Sequence, residues 1–376
     1  MTNKIRVLLV DDSAVIRRLL TDVLSGDPML EIVGGAPNGR VALEQLSALK
    51  PDLVVLDVEM PEMDGLETLT EIRKRQPRLP VIMFSSLTER GAIVTLEALA
   101  LGANDYVTKP SNSGNMIAAL QRVREELIPR IKTFCRHRLD AAPTAKAEER
   151  PSAFEPFAAS GPTTELLAPA PAPLSTAVPA RPRQRVEVVA VGVSTGGPNA
   201  LAAILPQLPA QFPVPIVIVQ HMPPLFTRLL AERLAAQSAL SVAEGTEGED
   251  LSPGQVRLAP GGSHMVLERR GTQARIRLHQ GEPENSCRPA ANVLFQSVAE
   301  IYRGGALAVI LTGMGNDGLR GCEAIRKAGG QVLVQDEASS VVWGMPGCVA
   351  RAGLADGQIA LSRLAGEILN RVRAGR

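Results

Sequence analysis

Cysteine and histidine are scarce in this sequence, with four residues of each among 376. No two of the cysteines have the CxxC spacing; they are Cys135, Cys287, Cys322 and Cys348. Without paired spacing, the sequence gives no basis for a disulfide framework or a structural zinc site. Cysteine usage of this kind is typical of proteins in a reducing compartment.

Excess charge of one sign and long apolar runs are also missing. The formal net charge is +1 at pH 7, which gives no electrostatic case for nucleic acid or an anionic membrane as the main partner. No stretch approaches the roughly 20 apolar residues that a membrane-crossing helix needs. The short apolar run in MTNKIRVLLVDDS is typical of a first strand and not of a signal peptide. We expect a cytoplasmic protein that binds no nucleic acid and does not insert into a membrane.

Residues 1–128 alternate short apolar runs with stretches of helical periodicity. The runs, each a predicted strand, are Arg6–Val10, Glu31–Gly34, Leu53–Leu56, Val81–Phe84 and Asp105–Val107. Ser13 precedes the first helical stretch and is its predicted N-cap. Five strand-then-helix units predict a doubly wound (βα)5 parallel sheet of the flavodoxin-like type.

A change in composition separates this domain from a second one. Residues 129–184 are predicted to be a linker, because proline and alanine dominate them from residue 141 and the tract Pro169–Pro173 favours an extended spacer. In residues 185–376 the alternation of strands and helices resumes. The predicted strands are Val186–Val191, Ile216–Val219, Ala306–Leu311 and Gln331–Val334, and the predicted helices lie near Phe226–Ala236, Asn292–Tyr302, Leu319–Ala328 and Leu361–Val372. Three short strands within residues 253–280 predict an antiparallel hairpin appended to this second doubly wound sheet; they are Gln255–Leu258, Met265–Glu268 and Ala274–Leu278.

Three aspartates and a lysine follow strand ends in the first domain. Asp11 and Asp12 follow the first strand, Asp57 ends the third, and Lys109 ends the fifth. Because the carboxyl ends of parallel strands converge at one edge of a sheet, these side chains should meet there. Clustered carboxylates repel each other unless a hard cation such as Mg²⁺ lies among them, and one of them can then accept a phosphoryl group. Helix capping by Asp11 and Asp12 is the plainer explanation, but it leaves the matching positions of Asp57 and Lys109 unexplained.

Ser194, His221 and Asp317 hold corresponding positions in the second domain. Ser194 lies in VGVSTGGP, His221 in VQHMPP and Asp317 in LTGMGNDG, each beyond the end of a predicted strand. Singly they have plainer explanations, since a glycine-rich turn can hold a phosphate, a histidine can be structural and an aspartate can cap a helix. The GK[ST] of a nucleotide-binding P-loop is absent, however. On one rim of one sheet, Ser194 can attack an acyl carbon, His221 can take and return its proton, and Asp317 can orient the imidazole.

The chain order of this triad excludes one familiar class of enzyme. Ser, His, Asp differs from the Ser–Asp/Glu–His order of the α/β-hydrolase fold, so an ordinary lipase or esterase is the wrong analogy. Glycines flank Met314, and the backbone N–H groups in this loop can bind an oxyanion. The residues predict a serine hydrolase that needs no cofactor at its hydrolytic site.

Four motifs of the first domain resemble response-regulator receiver domains, across essentially all of residues 1–128: VDDS, LDVEMPEMDGLE, FSS and NDYVTKP. The resemblance implies that Asp57 is the phosphoryl acceptor and that the two aspartates after the first strand support Mg²⁺. It also implies that Lys109 contacts the phosphoryl group, that Ser85 is the switch hydroxyl and that Tyr106 is the aromatic residue that moves with it.

Five motifs of the second domain resemble the chemotaxis protein-glutamate methylesterases, the CheB family, over residues 187–376: GVSTGGP, VQHMPPLFTRLLAERL, LAPGGSHM, LTGMGNDG and VVWGMPG. The resemblance implies hydrolysis of glutamate γ-methyl esters on methyl-accepting chemotaxis receptors, with release of methanol. Deamidation of receptor glutamines stays open as a further or alternative activity, because the triad chemistry is the same for an ester and an amide. It implies that the serine, histidine and aspartate above form the triad, with the Met314 N–H in the oxyanion hole and Thr195 nearby. A chemotaxis histidine kinase is the implied phosphodonor, and we expect a monomer.

One segment departs from the family pattern. Many members have Pro-Ser-Val-Asp before the helix that starts near residue 292, where this chain has Pro289-Ala290-Ala291-Asn292. Asn292 can cap that helix, so the fold is expected to survive the change. The departure bears on how the substrate fits and leaves the triad intact.

Regulation and two alternative functions complete the expectations. We hypothesise that the unphosphorylated receiver packs over the hydrolase cleft and that phosphorylation of Asp57 shifts the population towards an open form. A transcriptional regulator is disfavoured, because the second domain has no helix-turn-helix pattern or basic stripe. A receiver-controlled serine hydrolase that acts on a methylated protein outside chemotaxis would use the same triad.

Overall fold

The computed structural model describes residues 4–110, 116–139 and 184–374 of the chain. These residues form two α/β domains, each built on a parallel sheet, and the predicted fold class is confirmed. Within the described ranges, no helix combines the length and the apolar character that crossing a membrane requires.

The N-terminal domain follows the predicted alternation of strands and helices. Its elements are β1 (Ile5–Val10), α1 (Ala14–Ser25), β2 (Leu30–Ala36), α2 (Gly39–Leu49), β3 (Leu53–Asp57), α3 (Gly65–Arg75), β4 (Val81–Ser85), α4 (Glu89–Ala100), β5 (Asp105–Thr108), α5 (Met116–Phe134) and α6 (Arg136–Leu139). The strand order is β2-β1-β3-β4-β5, with every neighbouring pair parallel. β3 and β4 are buried along their whole length, as expected for strands covered by helices on both faces. Ser13 caps α1 as predicted and accepts the Ile16 N–H at 3.4 Å.

The C-terminal domain combines a seven-stranded parallel sheet with a separate hairpin. Its elements are β6 (Val188–Val193), α7 (Gly197–Ile204), β7 (Ile216–Gln220), α8 (Pro224–Gln237), β8 (Ser241–Glu244), β9 (Gln255–Leu258), β10 (His264–Arg270), β11 (Gln273–His279), α9 (Ala291–Tyr302), β12 (Ala306–Ile310), α10 (Leu319–Lys327), β13 (Gln331–Gln335), α11 (Met345–Arg351), β14 (Gly357–Ile359) and α12 (Leu361–Arg373). The order of the large sheet is β14-β13-β12-β6-β7-β9-β8, with every neighbouring pair parallel. β6, β7 and β12 lie next to each other near its centre and are completely buried.

Residues 253–280 differ from the expectation in one strand. β10 and β11 form the predicted antiparallel hairpin, with Leu267 opposite Ile276. β9 does not join them, because it pairs in parallel with β7 and β8 in the large sheet. The edge strands β8 and β14 and the helix α11 were not predicted, since elements of four, three and seven residues are too short to show a periodic pattern.

The N-terminal domain extends beyond residue 128, where the predicted linker begins. α5 continues to Phe134, and α6 follows it directly. Ile131 and Cys135 are fully buried in the core that β1 and α1 share with α5. The burial of these two side chains holds the end of α5 and the start of α6 against the N-terminal domain. The proline-rich part of the predicted linker falls in residues 140–183, outside the described residues.

The two domains contact each other through α4 of the first and α7 and α8 of the second. Leu96 and Leu99 of α4 are buried in one apolar cluster with residues of α7 and α8. The Asn199 side-chain amide donates to the Leu99 carbonyl at 2.7 Å, and the Arg233 guanidinium donates to the Leu96 carbonyl. The interface therefore continues the core of the C-terminal domain and packs α4 against α7 and α8.

Candidate active site

A glycine turn carries Ser194 at the carboxyl end of β6. The Ser194 N–H donates to the Thr312 carbonyl at 3.1 Å, which ties the turn to the residues after β12. Gly196 has a φ of +78°, a conformation that favours glycine. A Cβ on Gly197 would lie 1.9 Å from Gln220 Oε1. These two glycines allow α7 to begin directly after the Ser194 turn.

His221 and Asp317 come close to Ser194 because they follow neighbouring strands. β12, β6 and β7 are adjacent in the sheet, and each of the three residues lies beyond the carboxyl end of one of them. His221 Nε2 is 2.7 Å from Asp317 Oδ2. The side chains are 11% and 2% exposed, so water screens the pair only weakly. The structure thus brings the three predicted residues to one rim.

Three backbone donors fix the Asp317 carboxylate in addition to His221. The Ala291 N–H donates to Oδ2 at 2.6 Å, and the N–H groups of Asn292 and Gly318 donate to Oδ1 at 3.0 and 2.9 Å. Burial opposes ionisation, but the hydrogen bonds from His221 and from the start of α9 outweigh it and lower the pKa of Asp317 below its usual 3.8. Asp317 is therefore ionised at neutral pH.

Helix capping in this region differs from two expectations. The plainer role for Asp317 was to cap α10, but the N-cap of α10 is Gly318, which provides no side-chain bond. Asn292, the predicted cap of α9, lies inside the helix, and the N-cap Ala290 has no side chain that can accept. Asp317 supplies the acceptor that α9 lacks, from another part of the chain.

The imidazole of His221 is oriented by its bond to Asp317. Its Nε2 bonds the ionised Asp317, so Nδ1 is the nitrogen that can accept a proton when the ring is neutral. Burial opposes protonation, but hydrogen bonds with Asp317 and with the Cys287 thiol outweigh it and raise the pKa of His221. Among the described residues no hydrogen bond joins Ser194 to His221.

A free backbone N–H lies in the loop after β12. Gly313 packs so closely that a Cβ there would come within 2.8 Å of Ser194 Cβ. The N–H of the next residue, Met314, has no acceptor within the part of the chain that the structure describes. Gly315 follows with a φ of +80°, which turns the loop sharply. An unpaired N–H beside Ser194 has the position of a donor to an oxyanion that would form there.

The side chain of Thr195 forms a hydrogen bond with the N-terminal domain. It is buried, and its Oγ1 donates to Asp105 Oδ2 at 2.8 Å. The same carboxylate oxygen accepts from Arg130 Nε at 3.0 Å. Thr195 was predicted to lie near the oxyanion site, and in this structure its hydroxyl belongs to the domain interface.

Asp11, Asp12 and Asp57 converge at the carboxyl edge of the first sheet, as their strand positions predicted. One carboxylate oxygen from each lies within 4.8 Å of the other two. Lys109 Nζ is 2.8 Å from Asp11 Oδ2 and 2.7 Å from Asp57 Oδ2. Burial raises the pKa of Asp57 to about 6, with Lys109 opposing the rise and Asp11 adding to it. Three hard oxygen donors, one of them on the exposed Asp12, fit a hydrated Mg²⁺.

Ser85 and Tyr106 connect this acidic pocket to the domain interface. Ser85 ends β4, next to β3, and its buried hydroxyl donates to the Gly91 carbonyl of α4 at 3.1 Å. Tyr106 lies on β5, and its ring stacks on Phe226 of α8 with centroids 4.7 Å apart and an interplanar angle of 10°. An aromatic residue of the first domain therefore packs on the helix that follows His221.

A cavity of about 460 Å³ lies between the two domains at the catalytic rim. Its walls from the C-terminal domain include Ser194, His221 and the segment 286–288. Its walls from the N-terminal domain include Glu125 and residues next to it on α5. The N-terminal domain therefore covers the catalytic rim in this state.

Comparison with known proteins agrees with this division of the chain. A CheB methylesterase family model matches residues 189–368, and a response regulator receiver domain model matches residues 7–121. A protein-glutamate methylesterase/protein-glutamine glutaminase of Trichodesmium erythraeum (strain IMS101) is 50% identical over 374 residues, covering 98% of this chain and 99% of the relative. The chain belongs to the CheB methylesterase family.

Membership of this family confirms the resemblance found in the sequence and, with it, the expectation of a hydrolase. A relative of the same name from Nocardioides sp. (strain ATCC BAA-499 / JS614) is 48% identical over 98% of this chain and 95% of its own length. The crystal structure of the Thermotoga maritima CheB methylesterase catalytic domain is 41% identical, covers 50% of this chain and 99% of that chain, and has a TM-score of 0.49.

Reasoning from the sequence missed three residues at this rim, namely Gln220, Cys287 and Arg288. Gln220 Nε2 donates to the Ser194 carbonyl at 2.9 Å and so fixes the turn that carries Ser194. Its position directly before His221, at the end of a buried strand, is a signal that could have found it. Cys287 and Arg288 line the cavity from a turn closed by backbone hydrogen bonds with Glu284. Only the fold brings that turn to the rim, and no local pattern marks it.

Replacement Asp317→Asn tests how the carboxylate is held. The amide keeps the shape of the side chain but loses the charge that the donors bind, so we expect the free energy of unfolding to fall by about 1.5–3 kcal/mol at pH 7 in urea denaturation. Folding lowers the pKa of Asp317, so its contribution is present above about pH 3.8 and is lost as the pH falls through the folded pKa. The difference from the wild type should therefore narrow at acid pH.

The matched control for this variant is Glu323→Gln, which makes the same charge change at an exposed position of α10. It should change the free energy of unfolding by less than about 0.5 kcal/mol. A loss in Asp317→Asn that is no larger than in the control, or that stays constant between pH 7 and about pH 3, would contradict the charged cap.

Proposed function

We propose that this chain hydrolyses glutamate γ-methyl esters on methyl-accepting chemotaxis receptors and releases methanol. The observation that carries the proposal is the buried His221–Asp317 pair beside Ser194 on one rim of the sheet. The names of the relatives, which combine a methylesterase with a glutaminase, supply the substrate class. The same triad can attack an amide, so deamidation of receptor glutamines belongs to the proposal.

Ser194 forms a covalent intermediate in the first half-reaction. Its Oγ attacks the ester carbonyl carbon while Nδ1 of the neutral His221 accepts the hydroxyl proton. The ionised Asp317, bound to Nε2, stabilises the imidazolium that results. Nδ1 then gives the proton to the departing methoxide oxygen, so methanol leaves and a glutamyl ester of Ser194 remains. Water attacks this ester in the second half-reaction with the same proton transfers and releases the glutamate carboxylate.

The Met314 N–H is the proposed donor to the oxyanion of both tetrahedral intermediates. It follows Gly313, which packs on Ser194, and it is unpaired within the described residues. A donor of this kind contributes ~2.7–4 kcal/mol to transition-state stabilisation. Gln220 supports the geometry by holding the Ser194 carbonyl.

Asp57 is the proposed acceptor of a phosphoryl group from a chemotaxis histidine kinase. Asp11, Asp12 and Asp57 would hold the Mg²⁺, which offsets charge on the transferring group when it is bound. Lys109, which already pairs with two of these carboxylates, would bind a phosphoryl oxygen. The convergence of all four side chains at one sheet edge supports these roles.

Phosphorylation is proposed to open the covered site. Once Asp57 carries a phosphoryl group, Ser85 would bond to it and Tyr106 would follow, which removes the stack on Phe226. Loss of the Thr195–Asp105 hydrogen bond would then free the turn that carries Ser194. A shift from almost fully closed to almost fully open needs ~5.5 kcal/mol of differential stabilisation, and a few kcal/mol would give a graded response.

The proposed place of action is the cytoplasm. Four free cysteines, with no disulfide among them, suit a reducing compartment. Phosphoryl transfer to Asp57 also requires that this protein lie on the same side of the membrane as the phosphorylating domain of the histidine kinase.

Release of radiolabelled methanol from methylated receptor membranes tests both parts of the proposal. The wild type should release more methanol with acetyl phosphate and Mg²⁺ than without them. Ser194→Ala should lower the rate by up to about 10⁶-fold, because no covalent intermediate can form. Asp57→Ala should lose the rise with phosphodonor. Failure of the wild type to release methanol under any condition would overturn the substrate assignment.

A charge reversal at the domain interface tests whether the N-terminal domain limits access to the site by covering it. Arg228 on α8 is 2.8 Å from Glu89 on α4, and both side chains are exposed. Arg228→Glu replaces attraction by repulsion, so we expect methanol release without phosphodonor to rise about two- to fivefold. The double variant Glu89→Arg/Arg228→Glu restores an opposite pair and should return the rate towards the wild type. If the double variant released methanol without phosphodonor as fast as Arg228→Glu does, the proposal that contacts between α4 and α8 keep the site covered would be contradicted.

A further inference from the structure

Arg288 lines the cavity of the catalytic serine and histidine from a fixed position. Its Nη1 donates to the carbonyls of Gln280 at 3.3 Å and Gly281 at 2.9 Å. Its own carbonyl accepts the Gly262 N–H at 3.1 Å. These bonds anchor both ends of the residue, so the guanidinium is held at the cavity wall.

The other edge of the Arg288 guanidinium has no partner within residues 4–110, 116–139 and 184–374. Nε is buried and has no hydrogen-bond partner among the described residues. The bonds that Arg288 does make use Nη1 alone and go to neutral carbonyls, so no carboxylate of the described chain balances its charge. A half-buried cation with unused donors is costly unless a ligand supplies acceptors. Nε–H and Nη2–H point the same way in one plane and match the two oxygens of a carboxylate.

The covering domain presents acidic groups to the same cavity. Glu125 and Glu126 of α5, together with Asp105, line it. Asp105 is 3.0 Å from Arg130, and Glu126 is 4.0 Å from the same arginine. In the closed state Asp105 and Glu126 therefore pair with Arg130, Glu125 accepts a hydrogen bond from Gln121, and within the described residues none of the three forms an ion pair with Arg288.

We propose that Arg288 binds a carboxylate of the substrate polypeptide, a glutamate or aspartate side chain close to the ester that Ser194 attacks. The proposal rests on the methylesterase function above and adds a specificity to it. A carboxylate is the anion that an unmodified polypeptide carries, and the free edge of Arg288 has the geometry to bind it in a bidentate manner. Arg288 is then a substrate-binding residue outside the triad, and it should act mainly on KM, since the contact is the same in ground state and transition state.

Peptides with one glutamate γ-methyl ester and either glutamate, glutamine or lysine at the flanking positions test this specificity. The full chain is assayed with acetyl phosphate and Mg²⁺. In the wild type, kcat/KM for the glutamate peptide should exceed that for the glutamine peptide about ten- to a hundredfold, mostly through KM. In Arg288→Gln this ratio should fall to about one, and Arg288→Glu should prefer the lysine peptide. Arg277→Gln, the same charge change on an exposed residue of β11, should keep the wild-type ratio.

Binding measurements separate the failure of this inference from the failure of the proposed function. The glutamate peptide is titrated into Ser194→Ala and into Ser194→Ala/Arg288→Gln by calorimetry, where no turnover occurs. Weaker binding in the double variant supports the carboxylate contact even if the wild type hydrolyses no peptide, a result that would count against the methylesterase alone. Hydrolysis of the glutamate and glutamine peptides at equal kcat/KM by the wild type would overturn the role of Arg288 and leave the methylesterase standing.

Discussion

The ionised carboxylate of Asp317 is the constraint on which the catalytic domain depends. Four donors converge on it: the imidazole of His221, two N–H groups at the start of α9 and the N–H of Gly318. Charge-assisted bonds of this number hold the group ionised and immobile. The position of α9, the orientation of His221 and the loop after β12 are therefore set by one side chain, so stability and catalysis cannot be changed independently there.

The two sheets could be predicted because their central strands are buried on both faces, and such strands appear in the sequence as continuous apolar runs. The convergence of Ser194, His221 and Asp317 at one rim was predictable from their positions after three such runs, and that of the acidic pocket from Asp57 and Lys109 at matching strand ends. β9 was assigned to the wrong group of strands, because four residues that alternate polar and apolar next to a hairpin carry no sign of their parallel partner β7. The capping of α9 by Asp317 and the contact of Thr195 with Asp105 join residues 25 and 90 positions apart, and a local pattern cannot reveal such pairs.

The two carboxyl edges, which carry the acidic pocket and the triad, are linked by a short chain of contacts. Asp105 and Tyr106 at the start of β5 contact Thr195 and Phe226, residues that follow the nucleophile and the histidine closely along the chain. A small movement of β5 would therefore change contacts next to both Ser194 and His221. The surface that covers the cavity lies next to Ser85 and Tyr106, so the proposed switch would act on the covering and on the turn that carries Ser194 together.

The central claim is that the unphosphorylated N-terminal domain covers a competent Ser–His–Asp site. The rate at which a bulky fluorophosphonate labels the full chain, with the site of labelling located by mass spectrometry, tests it most directly. Labelling should fall on Ser194, accelerate with acetyl phosphate and Mg²⁺, and be abolished in His221→Gln. Equal rates with and without the phosphodonor, or labelling of a residue other than Ser194, would contradict the claim.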